Sequence, residues 1–170
     1  DAEQKKLRKE IKVEGEFDSK YTFYDLGFNL RPTEITGFLG VQQLKFLKQI
    51  VLKRQENYHF LEKTILENHE LISTQHDHLN LVSSFSVPVI VKDSSLMKKY
   101  VAKFEAAEVE IRPVISGDIQ KQPFYKKYVK NFTNLPNASY IHDNGFYFGN
   151  YPELNSSELE LLDNCLKAGN

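Results

Sequence analysis

Asn29 and Arg31 stand two residues apart in the stretch GFNLRPTEITGFLGVQQL (27–44), just ahead of Thr33 and Glu34. An amide donor and a guanidinium fork suit an anion such as phosphate or carboxylate. Pro32 pushes Arg31 toward extended backbone and Thr33 is a good N-cap, so the spacing predicts a helix from Glu34. The free N–H groups and positive potential of a helix N-terminus favour the same kind of ligand. Gly27 frees the backbone to turn ahead of them. A loop amide, a surface arginine and a well-capped helix account for the same residues without any ligand. Gly37 and Gly40 fall inside the predicted helix, where each costs about 1 kcal/mol relative to alanine. Close approach of another helix or another subunit offsets that cost; plain tolerance is the alternative.

A second set lies in IRPVISGDIQKQPFYKKY (111–128). Arg112 sits late in a predicted strand, before Pro113 and a glycine-containing loop, and strand ends often carry site residues. Ser116, Asp118, Gln120 and Gln122 make that loop rich in hydrogen-bonding groups. They suit a hydroxylated ligand such as a sugar, or equally a satisfied polar turn. His76 and His78 lack further ligands at a metal-binding spacing and read as a solvated loop. His59 and His69 read as partly exposed. Cys165, among Leu161, Leu162 and Leu166, reads as core packing. The chain has no GxSxG, no Walker-type loop, no GxGxxG and no HExxH. It therefore offers ligand contacts but no evident reaction centre and no metal site.

The elements that must hold these residues follow from periodicity. Ile35, Phe38, Leu39, Val41, Leu44 and Leu47 give the helix after Thr33 a broad apolar face. A further helical stretch runs roughly from Gln49 to Glu67, with Ile50, Val51, Tyr58, Leu61, Ile65 and Leu66 on its buried side. The two are one kinked helix or a pair. LVSSFSVPVIV (81–91) reads as a strand, with Pro88 at an edge or a bulge. Ser94 or Ser95 caps a helix over Leu96, Tyr100, Val101 and Phe104. VEIRPVI (109–115) and GFYFGN (145–150) supply two more strands, and His142 to Gly145 looks like a helix end. Asn155-Ser-Ser-Glu158 is a capping-box variant opening a helix through Lys167. The order predicts an α/β or α+β layer structure, a short mixed or antiparallel sheet covered by helices.

Composition bounds the rest. The 170 residues are 41% hydrophobic, enough for one packed domain, and 22 basic against 23 acidic side chains give a net charge of −1. That balance gives no drive toward nucleic acid or an anionic membrane, and no apolar run is long enough to span a bilayer. A single cysteine fits a reducing, cytoplasmic setting. Residues 1–20 read as a charged, flexible arm or linker, and 21–170 as the domain.

GFNLRPTEITGFLGVQQLKFL followed by KRQENYHFLE resembles the sugar aminotransferase family of pyridoxal-phosphate enzymes, fold type I of the aspartate aminotransferase superfamily. Gly27, Phe28, Asn29, Arg31, Gly37, Gly40, Gln43, Leu44 and Arg54 match its pattern. EIRPVISGDIQKQPFYKKY and GFYFGNYPEL look more like the branch of nucleotide-sugar 3-dehydratases acting on 4-keto-6-deoxyhexoses. The resemblance implies a C-terminal portion of a longer enzyme. The Schiff-base lysine, or the histidine that replaces it in one dehydratase group, lies upstream of the matched segment, so no catalytic residue is expected within this chain. It also implies pyridoxal or pyridoxamine 5'-phosphate as cofactor and a homodimer with a shared active site. Asn29 is then expected on the cofactor phosphate of the partner subunit, with Arg31 and Arg112 toward the nucleotide-sugar substrate. The implied activity is 3-dehydration of an NDP-4-keto-6-deoxyhexose in deoxysugar and lipopolysaccharide biosynthesis. Amino transfer to such a sugar, or a non-catalytic phosphate- or sugar-binding or dimerisation module, is the alternative.

Overall fold

The computed structural model describes residues 2–12, 15, 17, 20–27, 33–115 and 117–169, without the side chains of residues 2 and 4. The charged opening segment forms a helix, α1 (Ala2–Ile11), and none of its described side chains is buried. Helix α2 (Glu34–Gln43) begins as expected, with Thr33 extended and its side chain accepting from the Thr36 N–H. A 3₁₀ turn (Leu44–Phe46) then redirects the chain into α3 (Leu47–Glu67), so the long apolar stretch is two helices joined by a tight turn. Tyr58, Leu61 and Ile65 of α3 are buried as their spacing predicts. Leu66 is 66% exposed, because the 3.6-residue period carries it off the stripe that Leu61 and Ile65 define.

The sheet is antiparallel, in the order β1 (Leu71–Ile72), β2 (Ser86–Val91), β4 (Gly145–Gly149), β3 (Ile111–Pro113). Pro88 faces Tyr147 on β4, and β1 meets β2 only at Ile90 and Val91. Its missing N–H therefore falls where β2 is locally an edge, the position the sequence requires of it. Alternation sends Val87, Val89, Val91, Phe146, Phe148 and Ile111 to one face. There they pack against α3, α4 (Met97–Ala106) and α7 (Ser156–Leu166) around Tyr100, Phe104 and Leu162. Cys165 is buried in the same core, and burial pushes its thiol up from the usual range.

One cap differs in detail from the sequence expectation. Asp93, rather than Ser94 or Ser95, caps the turn before α4 by accepting the Ser95 N–H, a carboxylate being the stronger acceptor at a helix start. The Asn155–Glu158 capping box forms as expected. Helices α5 (Pro123–Tyr128) and α6 (Pro136–Asn144) each begin on a proline, whose missing N–H costs nothing at that position.

One polar network threads the core. Asn68 donates from Nδ2 to Tyr100 Oη and to the Leu166 carbonyl, 2.6 Å each, and Tyr100 Oη donates to Glu70 at 2.7 Å. Burial, then the Glu70 bond, pushes the Tyr100 phenol up to about 12. An unfolded tyrosine ionises near 10, so Tyr100 adds stability that is full below about pH 10 and lost as pH climbs toward about 12. Absorbance titration of the phenolates should show a late step that Tyr100→Phe diminishes by one phenol. Ionisation of every tyrosine in one step near pH 10 would contradict this.

Candidate functional site

Helix α2 has no buried residue, and a Cβ added at Gly37 or Gly40 would meet nothing within 4 Å. Ile35, Phe38, Leu39, Val41, Leu44, Phe46 and Leu47 are 51–72% exposed. An amphipathic stripe that the sequence builds for burial thus has no cover within the described chain. Asn29 and Arg31 lie outside the described residues, and so does Ser116. The flanking Gly27, Thr33 and Glu34 are exposed, and the Thr33 side chain accepts the Thr36 N–H at the start of α2.

The far face of the sheet carries Arg112. On β3 it pairs directly across from Tyr147 of β4, and Tyr147 in turn faces Pro88 of β2. Arg112 Nε and Nη2 both donate to Glu110 Oε1, at 2.9 and 2.7 Å, and Nη1 donates to Tyr21 Oη at 3.2 Å. Tyr21 Oη is 2.9 Å from Tyr147 Oη. The bonds to Tyr21 and Glu110 hold the guanidinium even more firmly protonated than usual, and Arg112 holds the Glu110 carboxyl below its usual range. Burial first, then the Tyr21 bond, pushes the Tyr147 phenol up to about 12; the bonds from Tyr147 and Arg112 lower that of Tyr21.

Arg112 lines a cleft of about 430 Å³ together with Arg54, Phe85, Glu110, Tyr147 and Tyr151. That volume is in the range of small-ligand sites. Phe85 and Tyr147 meet edge to face with ring centroids 6.2 Å apart. Arg54 Nε is buried with no partner among the described residues. Two guanidinium groups beside aromatic walls can take a ligand that combines anionic groups with a planar ring. The walls are fixed from behind by Asn150, whose Nδ2 donates to the Arg54 and Ser84 carbonyls, 2.9 Å each. Its N–H donates to the Phe85 carbonyl at 2.8 Å. Asn57 donates to the Tyr151 carbonyl at 2.8 Å.

The polar loop after β3 serves the fold rather than this cleft. Asp118 caps the next turn by accepting the Gln120 N–H. Gln120 clamps Thr133 at both N–H and carbonyl, 2.7 Å each. Gln122 accepts the Phe23 N–H and donates to the Tyr21 carbonyl. All three are buried, which resolves the two readings of that loop in favour of a satisfied turn for these residues. His76 sits at 2.5 Å from Glu62 and His59 at 3.2 Å from the same carboxylate, which fixes the loop that sequence takes as solvated. No three histidine, cysteine or acidic side chains among the described residues gather as a metal would require. No helix among the described residues is long and apolar enough to cross a membrane. Tyr21, Arg54 and Asn150 are the members that sequence alone does not assign a role; each meets its partner across a long stretch of chain.

A model of the DegT/DnrJ/EryC1/StrS aminotransferase family matches residues 1–167. GDP-4-keto-6-deoxy-D-mannose 3-dehydratase of Escherichia coli O55:H7 is 30% identical over 163 residues, 92% of this chain and 41% of the relative. The lipopolysaccharide biosynthesis protein RfbH of Salmonella typhimurium is 27% identical over 151 residues, 86% of this chain and 34% of the relative. A crystal structure of GDP-4-keto-6-deoxymannose-3-dehydratase with a trapped PLP-glutamate geminal diamine superposes with a TM-score of 0.70 at 28% identity, covering 91% of this chain and 41% of that one. The sugar aminotransferase CalS13 from Micromonospora echinospora superposes with a TM-score of 0.69 at 17% identity over 84% of this chain and 37% of that one, a likeness of fold alone. The chain spans about 41% of the length of the E. coli relative.

Proposed function

The chain belongs to the DegT/DnrJ/EryC1/StrS aminotransferase family, and from that premise we propose that it is the C-terminal portion of a nucleotide-sugar 3-dehydratase acting on a GDP-linked 4-keto-6-deoxyhexose. Residues 21–170 form the domain, and the protein works as a homodimer. The carrying observation is the cleft around Arg112, two arginines and aromatic walls on a fold that superposes on a GDP-4-keto-6-deoxymannose-3-dehydratase.

In this reading Arg112 and the cleft receive the nucleotide end of the substrate. Arg112 enters with one side of its fork satisfied by Glu110 and one N–H on each terminal nitrogen left for an anion. Asn29 serves the phosphate of pyridoxal or pyridoxamine 5'-phosphate in the partner's active site, and Arg31 serves the substrate there. The residues fit that cofactor: α2 offers an exposed N-terminus that an amide and a guanidinium precede in the sequence, although Glu34 in its first turn opposes an anion in part. The cofactor, when bound, supplies the amine and electron sink for loss of the sugar 3-hydroxyl. This chain's share is to bind, orient and close the site. Amino transfer at C4 is the second reading, favoured by the aminotransferase description of the family itself.

The test is the full-length protein with GDP-4-keto-6-deoxymannose and the cofactor in its amine form. The expected product has lost oxygen at C3; a 4-amino sugar instead sinks the dehydratase reading. Arg112→Ala should raise KM about 10- to 100-fold, in line with removing a charged hydrogen-bond donor. An unchanged KM takes Arg112 out of the substrate site.

A further inference from the structure

The strand that carries Arg112 does not by itself fix where its long side chain points; a segment 91 residues earlier does. Lys20 donates to the Ile111 carbonyl at 2.8 Å, so the strap beginning there is laced to edge strand β3. Tyr21 then reaches Arg112 and Tyr147. The Phe23 N–H is accepted by Gln122 at 2.9 Å, and the Phe23 carbonyl accepts the Phe124 N–H at 3.1 Å. Asp25 takes the Lys127 ammonium and, at 2.6 Å, the Tyr128 hydroxyl. Tyr21 also lines a second cleft of about 250 Å³ with Lys121, Lys126 and His142.

The geometry points to Tyr21 as the positioning residue for Arg112: its hydroxyl, braced by Tyr147, closes the side of the guanidinium that Glu110 leaves open and aims the remaining N–H groups into the cleft. Glu110 alone holds the fork at one edge through a side chain that is 68% exposed, and Arg112 itself is 47% exposed, so a single surface pair leaves the group free to swing. A third bond, donated by the guanidinium to a neutral phenol, holds the orientation without cancelling the charge that an anion needs. The phenol sits on the strap that leads into the segment bearing Asn29 and Arg31. The inference rests on Arg112 being a substrate contact, as proposed above.

The test uses the full-length protein as Tyr21→Phe, Arg112→Ala and the double variant. GDP binding is followed by calorimetry and turnover by product formation. Tyr21→Phe keeps the ring and its packing; it should weaken GDP about three- to tenfold and raise KM in step, with kcat falling less than twofold. In the Arg112→Ala background the same substitution should have no further effect on GDP, because Tyr21 works only through that guanidinium. Full additivity in the double variant, or unchanged GDP affinity in Tyr21→Phe beside a weakened Arg112→Ala, overturns the positioning role and leaves the substrate site standing. No loss in Arg112→Ala overturns the site itself and the inference with it.

Discussion

Phe38→Asp with Leu44→Asp in the full-length protein should convert the proposed homodimer into monomers and lower kcat/KM about 1000-fold or more. Both side chains are more than 60% exposed, Phe38 on α2, which has no buried residue, and Leu44 on the 3₁₀ turn that follows it. Burying each is worth about 1.5–3 kcal/mol, and each carboxylate placed in an apolar contact costs several more. In a two-fold dimer every substitution counts twice, so four sites change at once and the association constant falls by many orders of magnitude. Turnover falls with it in the proposed reading, where Asn29 and Arg31, which precede α2 in the sequence, serve the partner's cofactor. Light scattering gives the mass and product formation the rate. A variant that stays dimeric with full turnover removes α2 from the interface. One that stays dimeric but loses thermal stability instead assigns the apolar face to other parts of its own chain.

The same helix shows where sequence patterning stops. Its apolar spacing and Thr33 cap are local, and both α2 and its start were legible from them. What covers the stripe is not local, and the glycine pair hints at close packing only by its cost. Three of the four strands were legible from their apolar patterning, and Pro88 from its missing donor; β1, two residues long, is too short to leave a pattern. The polar run Asp118–Gln120–Gln122 looked equally like a sugar site or a turn. Its partners, Thr133 and the Tyr21–Phe23 backbone, lie 13 to 101 residues away in sequence, and only the fold could choose. Nothing local in the sequence marks Tyr21. Its role depends on Arg112 and Tyr147, 91 and 126 residues on. Arg54 and Asn150 escaped for the same reason, since carbonyl partners leave no residue signature.

Asn150 carries the other large effect, and Asn150→Asp isolates it. The residue is 1% exposed, and its amide nitrogen spans the carbonyls of Arg54 and Ser84. Aspartate keeps the shape and turns that donor into an oxygen facing two oxygens. Two buried acceptors lose their partner, and an ionised carboxylate would be buried without one. The expected loss is about 3–5 kcal/mol at neutral pH. The new carboxyl escapes part of this by taking a proton, which raises its folded pKa above the unfolded value near 3.9. A raised carboxyl contributes its full stability below the unfolded pKa and loses it as pH rises, so the deficit against the parent should be smallest near pH 4 and widen toward neutrality. Asn150→Ala should be destabilised by an amount that does not vary with pH. Melts of the three proteins at pH 4 and pH 7.5 decide it: an equal gap for Asn150→Asp at both values means that Asn150 does not act as a buried donor. Because the same amide holds the backbone of Arg54 and the approach to Phe85, any Asn150 variant that still folds should bind GDP more weakly. Stability and the shape of the cleft then fail together, through one side chain that never touches the ligand.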